Sequence, residues 1–229
     1  MMLCIDAGHG GTDSGCANGQ YLEKNFTLQF AQLLKNTLNQ LAPNLDVILT
    51  RNSDVYVSLE NRCQIANSNN ATAFVSIHIN AGSTTATGVE TLVYSKTGDT
   101  GHLANKVHNA VISSTGLHDR GVKIRQDLYV LKNTNMPAIL VECGFIVADL
   151  NFLVNNYMKI VNGLATGIID AFGLVKFNQE VDFMYGKDSI QILKDNNIIT
   201  DVEYWRNAVK CVKYLQELLD NMAKKLYNV

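Results

Sequence analysis

Apolar runs alternate along most of the chain with stretches in which apolar residues recur every three or four positions. Short β-branched runs bounded by turn residues are typical of buried strands, whereas a three- and four-residue period is typical of helices with one apolar face. Six runs predict strands, at residues 3–6, 47–50, 73–79, 88–94, 128–131 and 138–141. Pro137 fits the start of the last strand, because proline cannot donate a hydrogen bond inside a sheet.

Helical periodicity fills the intervals between these strands. Apolar faces with this period occur at residues 22–41, 58–68, 101–114 and 150–172. The alternation predicts an α/β fold in which a twisted, mostly parallel or mixed six-stranded sheet carries helices on both faces. Ligands of such sheets bind beyond the carboxyl ends of the strands, so residues at those ends are the first candidates for a functional site.

The pattern changes after Gly173, which fits the end of the preceding helix. Residues 188–196 and 201–226 have helical spacing, and no further strand is predicted. We therefore divide the chain into a sheet domain, residues 1–174, and a small all-α segment, residues 175–229. A helical unit of this size is near the lower limit for independent stability, so we expect it to dock onto the sheet domain or to self-associate.

Composition narrows the choice of partners. The chain has 229 residues, of which 47% are hydrophobic and 17% charged, and its formal net charge is −2. That charge provides no electrostatic basis for binding nucleic acid or an anionic membrane, and no apolar run is long enough to cross a bilayer. We recognise neither a signal peptide nor a pattern of paired cysteines, so we expect a cytoplasmic protein with reduced thiols.

Single ionisable residues stand at the ends of three predicted strands. His9 follows the first strand, His78 ends the third and Glu142 ends the sixth, while Glu23 opens the first helix. Two imidazoles and two carboxylates make up a catalytic zinc site with a separate general base. We assign His9, Glu23 and His78 as ligands of Zn²⁺. Glu142 is then the group that takes the proton of water and passes it to the leaving amine.

Each residue has another interpretation when it is taken alone. Either histidine fits a structural, hydrogen-bonded role, and Glu23 fits a first-turn acid that complements the helix dipole. Glu142 fits an ion pair with an arginine. Imidazole and carboxylate ligands also admit manganese or cobalt. The joint occurrence of the four residues favours a zinc hydrolase, in which Asp6 or a backbone carbonyl orients one of the histidines.

Four motifs, in this order, resemble those of the zinc-dependent N-acetylmuramoyl-L-alanine amidases of the Amidase_3 type. They are Ile-Asp-Ala-Gly-His-Gly-Gly at residues 5–11, Glu23 at the start of the first helix, Ser-Ile-His-Ile-Asn-Ala at 76–81 and Val-Glu-Cys-Gly-Phe at 141–145. The resemblance spans about residues 2–173. Ala7 stands where the family commonly has proline, and Ile146-Val147-Ala148 replaces a more polar run, but neither departure involves a chemical group of the site.

The resemblance implies hydrolysis of the amide between N-acetylmuramic acid and L-alanine in peptidoglycan. It places the metal ligands at His9, Glu23 and His78 and the catalytic glutamate at Glu142. The C-terminal segment is similar to the helical tails of some phage endolysins. We therefore expect a bacteriolytic, phage-type endolysin that is cytoplasmic before release and then acts at the cell wall. Its tail would bind wall, pair subunits, or simply complete the fold.

Further residues near these motifs are candidates for contacts with the substrate. They are Asn80, Arg62, Glu90 and His118, each with a structural role as the alternative. Two other functions also fit the sequence. One is a catalytically silent module that binds peptidoglycan, and the other is a zinc hydrolase that acts on a different amide.

Overall fold

The computed structural model of the chain describes residues 1–174. The helices predicted at 188–196 and 201–226, and the roles expected of the C-terminal segment, lie outside the described residues. Within residues 1–174 the strands are β1 (Met2–Ala7), β2 (Ala17–Asn18), β3 (Tyr21–Leu22), β4 (Asp46–Leu49), β5 (Ala73–Asn80), β6 (Val89–Val93), β7 (Asp119–Ile124) and β8 (Ala138–Phe145). The helices are α1 (Glu23–Leu41), α2 (Leu59–Ser68), α3 (Gly98–Thr115), α4 (Tyr129–Asn133), α5 (Leu150–Asn155) and α6 (Tyr157–Ala171).

Six of the strands form one mixed sheet in the order β4-β1-β5-β8-β6-β7. Strands β4, β1, β5 and β8 are parallel, β6 runs antiparallel to β8, and β7 is parallel to β6. The predicted α/β fold with a mostly parallel, six-stranded sheet is confirmed. The remaining strands, β2 and β3, form a short antiparallel hairpin directly before α1.

One strand of this sheet is not among those predicted from the sequence. Residues 128–131 were expected to be a strand, but Tyr129–Asn133 is the helix α4 and Leu128 caps its N-terminus. The sixth strand is instead β7, whose residues are mostly polar and only partly buried. A short apolar run does not distinguish a strand from one turn of buried helix, and an edge strand lacks the apolar face that marks its neighbours.

The sheet buries two apolar clusters of unequal size. The larger lies on the face covered by α1, α3 and α6 and includes Leu3, Ile5, Val75, Ile77 and Val141. The smaller lies on the opposite face beneath α2 and α4 and includes Phe74 and Leu140. His78 and Glu142 differ from Phe74 and Leu140 by an even number of residues, so they share that second, less covered face.

Helix α6 packs very closely on α3 in the larger cluster. A Cβ atom at Gly167 would collide with Val107 and would lie 2.8 Å from the carbonyl oxygen of Lys106. The helix predicted over 150–172 is in fact two, α5 and α6, with a break at Asn156. Among the described helices, none combines the length and the apolar character that a membrane crossing requires.

Candidate metal centre

His9 lies in a tight turn that directly follows β1. Its φ is 59°, in the left-handed region that residues other than glycine seldom occupy. Such strain persists only where the surroundings fix it, and it is common at functional sites. The turn carries the imidazole out of the sheet at the carboxyl end of β1, so the backbone conformation itself positions a predicted ligand.

Two buried arginines stabilise this turn by donating hydrogen bonds to its backbone carbonyl oxygens. Arg62 on α2 donates to the carbonyl oxygens of Ala7 and His9 at 2.6 Å each, and it pairs with Asp6 at 2.6 Å. Arg51 donates from Nε to Ala7 O and from Nη2 to Gly8 O, both at 2.9 Å. Arg62 is only 3% exposed, and these bonds support its structural alternative over a contact with substrate.

Glu23 is fixed as the first residue of α1 by the preceding hairpin. The backbone amide of Cys16 donates to Oε2 of Glu23 at 2.9 Å, and the amide of Ile79 donates to Oε1 at 2.9 Å. The same two oxygens face the histidines, with Oε1 2.9 Å from Nδ1 of His78 and Oε2 3.2 Å from Nε2 of His9. The carboxylate therefore stands between the two imidazoles.

The side chains of the three predicted ligands lie close together. One ligand atom from each of His9, Glu23 and His78 lies within 4.8 Å of the others. The two rings are nearly perpendicular, with centroids 4.9 Å apart. A side chain at Gly8 would overlap the His78 ring, so only glycine fits there. Nitrogen and carboxylate donors in this number are suited to Zn²⁺ with a further position open.

The charges in this cluster are strongly coupled. Burial lowers the pKa of His9, but hydrogen bonds and charge from Glu23 and Asp13 outweigh it and raise that pKa to about 9. Burial opposes ionisation of Glu23, yet hydrogen bonds and charge from His78 and His9 hold its pKa well below the usual value. The carboxylate between the two imidazoles therefore favours positive charge at this place, and a metal ion would compete there with protons.

Asp13 orients the ring of His9. Its Oδ2 lies 2.8 Å from Nδ1 of His9, and its Oδ1 accepts from the amide of Gly15 at 3.0 Å. Carboxylates commonly fix the tautomer of a ligating histidine in this way. The sequence had suggested Asp6 for this role, but that carboxylate accepts hydrogen bonds from Thr50, Arg62 and Ser76 instead.

Glu142 lies beside the cluster on β8, directly opposite His78 on β5. Its Oε2 is buried and has no hydrogen-bond partner among the described residues. Burial raises the pKa of Glu142 to about 7; the charge of His78 opposes this effect, while those of Glu23 and Glu90 add to it. A buried carboxyl oxygen without a partner is costly, which is expected of a group reserved for chemistry rather than for stability.

The remaining predicted contacts occupy the same edge of the sheet. Asn80 ends β5 and donates to Oε1 of Glu90 at 3.1 Å, and Glu90 lies opposite Glu142 on the neighbouring strand. His118 is exposed just before β7, and its carbonyl oxygen accepts from the amide of Val89 at 2.9 Å. Contact of these side chains with substrate stays a prediction.

A cavity of about 160 Å³ opens beside the two histidines. Its other walls are mainly apolar and include Tyr56, Leu59 and Tyr129, whose side chains are exposed. Concave, mostly apolar surfaces with a few convergent polar groups are typical of ligand sites. The donor cluster is therefore reachable from solvent along this side.

Comparison with known proteins settles the family. The model of the N-acetylmuramoyl-L-alanine amidase family Amidase_3 matches residues 3–170. The chain belongs to this amidase family. The matched range contains every residue of the metal cluster, together with Glu142.

Relatives of this amidase come from bacteria and from a phage. The sporulation-specific N-acetylmuramoyl-L-alanine amidase of Bacillus subtilis is 38% identical over 181 residues, which is 77% of this chain and 70% of that protein. The endolysin of Bacillus phage SPP1 is 37% identical over 211 residues, which is 85% of this chain and 77% of the endolysin. Since 85% of 229 residues is about 195, that similarity continues beyond residue 174.

The fold of the amidase is also found in solved structures. The N-acetylmuramoyl-L-alanine amidase of Clostridium difficile 630 superposes with a TM-score of 0.71 at 35% identity. The match covers 75% of this chain and 96% of that structure. The described domain therefore shares its fold with a solved amidase structure.

Proposed function

We propose that the chain hydrolyses the amide between N-acetylmuramic acid and L-alanine in peptidoglycan as a zinc enzyme. His9, Glu23 and His78 would hold the ion, and Glu142 would act as general base and then general acid. The observation that carries this proposal is the convergence of three donors within 4.8 Å beside a buried carboxyl oxygen that has no partner. A bound zinc ion would activate water and polarise the scissile carbonyl.

The protein's own groups divide the work of proton transfer. Oε2 of Glu142 is free to take a proton from the attacking water, and the same atom then delivers it to the nitrogen of L-alanine as the amide breaks. Burial favours the protonated form of Glu142, which helps to keep the proton until the amine leaves. Asp13 holds His9, and the amides of Cys16 and Ile79 hold Glu23, so the donors are fixed before an ion binds.

Peptidoglycan is the proposed partner because the family is named for N-acetylmuramoyl-L-alanine amidase activity, and a relative from Staphylococcus epidermidis is named a probable cell wall amidase. Among these relatives, similarity to the phage endolysin continues past residue 174. That extended match supports a phage-type lytic role, in which residues 1–174 form the catalytic domain. The C-terminal segment would then bind wall or pair subunits.

The test is cleavage of purified cell wall by wild type and by Glu142→Gln. Glutamine has nearly the same shape as glutamate but cannot act as a base. We therefore expect the rate at which L-alanine amino termini are released to fall by roughly 10²- to 10⁴-fold, with zinc content unchanged. A chelator should abolish the wild-type rate, and added Zn²⁺ should restore it.

A matched control keeps the wall assay interpretable. Gln64→Ala, at an exposed position of α2, should cut at the wild-type rate. Full activity of Glu142→Gln would show that Glu142 is not the general base. Wild type that binds wall but releases no amino termini would favour the silent binding module, and release of a different amine or of acetate would favour another amide.

A further inference from the structure

A row of charged side chains extends from the metal centre to the edge of the sheet. His78 on β5 lies opposite Glu142 on β8, and Glu142 lies opposite Glu90 on β6. Next to β6 is β7, whose pairing is irregular between Val89 and Thr91. Paired residues on neighbouring strands point to the same face. The side chains of His78, Glu142 and Glu90 therefore form a row on one face of the sheet, which runs from the metal centre toward the edge strand β7.

The outer end of this row carries an excess of positive charge. Arg120 Nε and Lys123 Nζ both approach the same oxygen, Oε2 of Glu90, at 2.8 and 2.6 Å. Two cations share one carboxylate, which leaves about one positive charge that is not neutralised by Glu90. Of the neighbouring acids, Asp127 pairs with Arg125 and Asp119 with His108, while Glu142 lies on the side of Glu90 that faces the metal centre.

These cations are placed to receive a ligand rather than only to neutralise Glu90. The guanidinium carbon of Arg120 lies over the Phe145 ring, 4.8 Å from its centre, and this cation–π contact helps to hold the side chain in place. The side chain of Lys123 is 43% exposed. Its ammonium group has three donors, and only the bond to Glu90 is present among the described residues.

We propose that Arg120 and Lys123 bind the free carboxylate of the second stem-peptide residue, D-isoglutamate, and so set the preference for its unamidated form. This inference rests on the proposed function. After the scissile amide come L-alanine and then D-isoglutamate. A chain advances at most ~3.5 Å per residue, so that carboxylate lies within about 7 Å of the reacting carbonyl.

The distance across the sheet matches this reach. Neighbouring strands are about 4.8 Å apart, so Glu90 on β6 lies roughly 10 Å from His78 on β5. The cationic groups of Arg120 and Lys123 lie at the carboxylate of Glu90, so a ligand carboxylate about 7 Å from the reacting carbonyl comes within hydrogen-bond distance of them. A substrate laid along the row places L-alanine beside Glu90 and the next carboxylate against the two cations. An amide at that position carries no negative charge, so it lacks the attraction between opposite charges that a carboxylate gains from the two cations.

The experiment compares two purified walls that differ only in amidation of the second stem residue. The initial rate of release of L-alanine amino termini is measured below saturation, which reports kcat/KM. We expect wild type to cut the D-isoglutamate wall about tenfold faster than the D-isoglutamine wall, the value of one charge-assisted hydrogen bond at a partly exposed site. Lys123→Met should bring this ratio close to one, Lys123→Glu should invert it, and Lys123→Arg should retain it.

Lys106→Met is the matched control, because it removes one exposed positive charge from α3 without touching the row. Its ratio should equal that of wild type, and the unfolding temperature and zinc content should be unchanged in all variants. Equal wild-type rates on the two walls would overturn the inference, as would a ratio unaffected by Lys123→Met or lowered equally by Lys106→Met. Wild type that cuts neither wall would instead overturn the proposed function.

Discussion

At the scale of single residues, the site depends on buried charges that lie underneath it. Asp6 is buried, pairs with Arg62, and accepts hydrogen bonds from Ser76 and Thr50. Through Arg62 this carboxylate supports the carbonyl oxygens of the turn that carries His9. The sequence pointed to His9, His78 and Glu142 because an ionisable group at the end of a buried strand is costly without a partner. Glu23, at the start of a helix, gained its role only together with these three. No comparable sequence signal marked Asp13 or Arg51, since a polar loop residue and an arginine after a strand are both ordinary on a surface.

The pKa of Asp6 gives stability a predictable dependence on pH. Burial raises this pKa, but the charge of Arg62 and the hydrogen bonds outweigh burial, so it lies below the ordinary value. A lowered folded-state pKa adds stability that is fully present above the unfolded value of about 3.9 and is lost as pH falls from there through the folded pKa.

Urea unfolding of metal-free wild type and Asp6→Asn between pH 7 and pH 3 measures this contribution. We expect the difference in free energy of unfolding to be constant above about pH 5 and to shrink by about 1 kcal/mol by pH 3. A difference that stays constant over the whole range would mean that folding does not lower the pKa of Asp6.

At the scale of elements, the sequence predicted the central strands of the sheet better than its edge strand β7. The apolar runs of β1, β5 and β8 were recognised because both faces of these strands are buried. Strand β7 was missed because its polar residues include Arg120 and Lys123, which serve Glu90 rather than a core. The segment at 128–131 was misassigned because four apolar residues fit a strand and a single helical turn equally well.

The contact between α3 and α6 makes a sharp prediction at this scale. Gly167→Ala would place a methyl group against the backbone of Val107 and Lys106, and helices cannot repack around a backbone clash as they do around a flexible side chain. We expect a loss of about 1–3 kcal/mol in the free energy of unfolding.

Asn162→Ala serves as the control on the same helix, where the side chain is exposed. Alanine has the higher helix propensity, so this variant should be unchanged or more stable by up to ~0.7 kcal/mol. Chemical denaturation of both variants measures the contrast. Equal stabilities would show that α3 and α6 pack less closely than the structure has them.

At the scale of the whole molecule, two sides of one sheet perform different tasks. The face under α1, α3 and α6 carries the larger apolar cluster. The thinly covered face carries His78 and Glu142, and the site forms where His78 meets His9 and Glu23 of α1. All groups of the proposed chemistry lie within residues 1–174. A match that covers 96% of the Clostridium difficile structure with 75% of this chain supports that part as a sufficient folding unit.

The metal content of that unit tests the central claim most directly. We would purify the full chain and a chain that ends at Leu174, saturate each with Zn²⁺, remove loosely bound ion, and collect anomalous diffraction data at the zinc edge together with elemental analysis. The account predicts one zinc per chain in both, bonded to His9, Glu23 and His78, and no zinc at this position after His78→Ala. Zinc-saturated protein whose anomalous peak lies elsewhere, or which retains no stoichiometric metal, would contradict it.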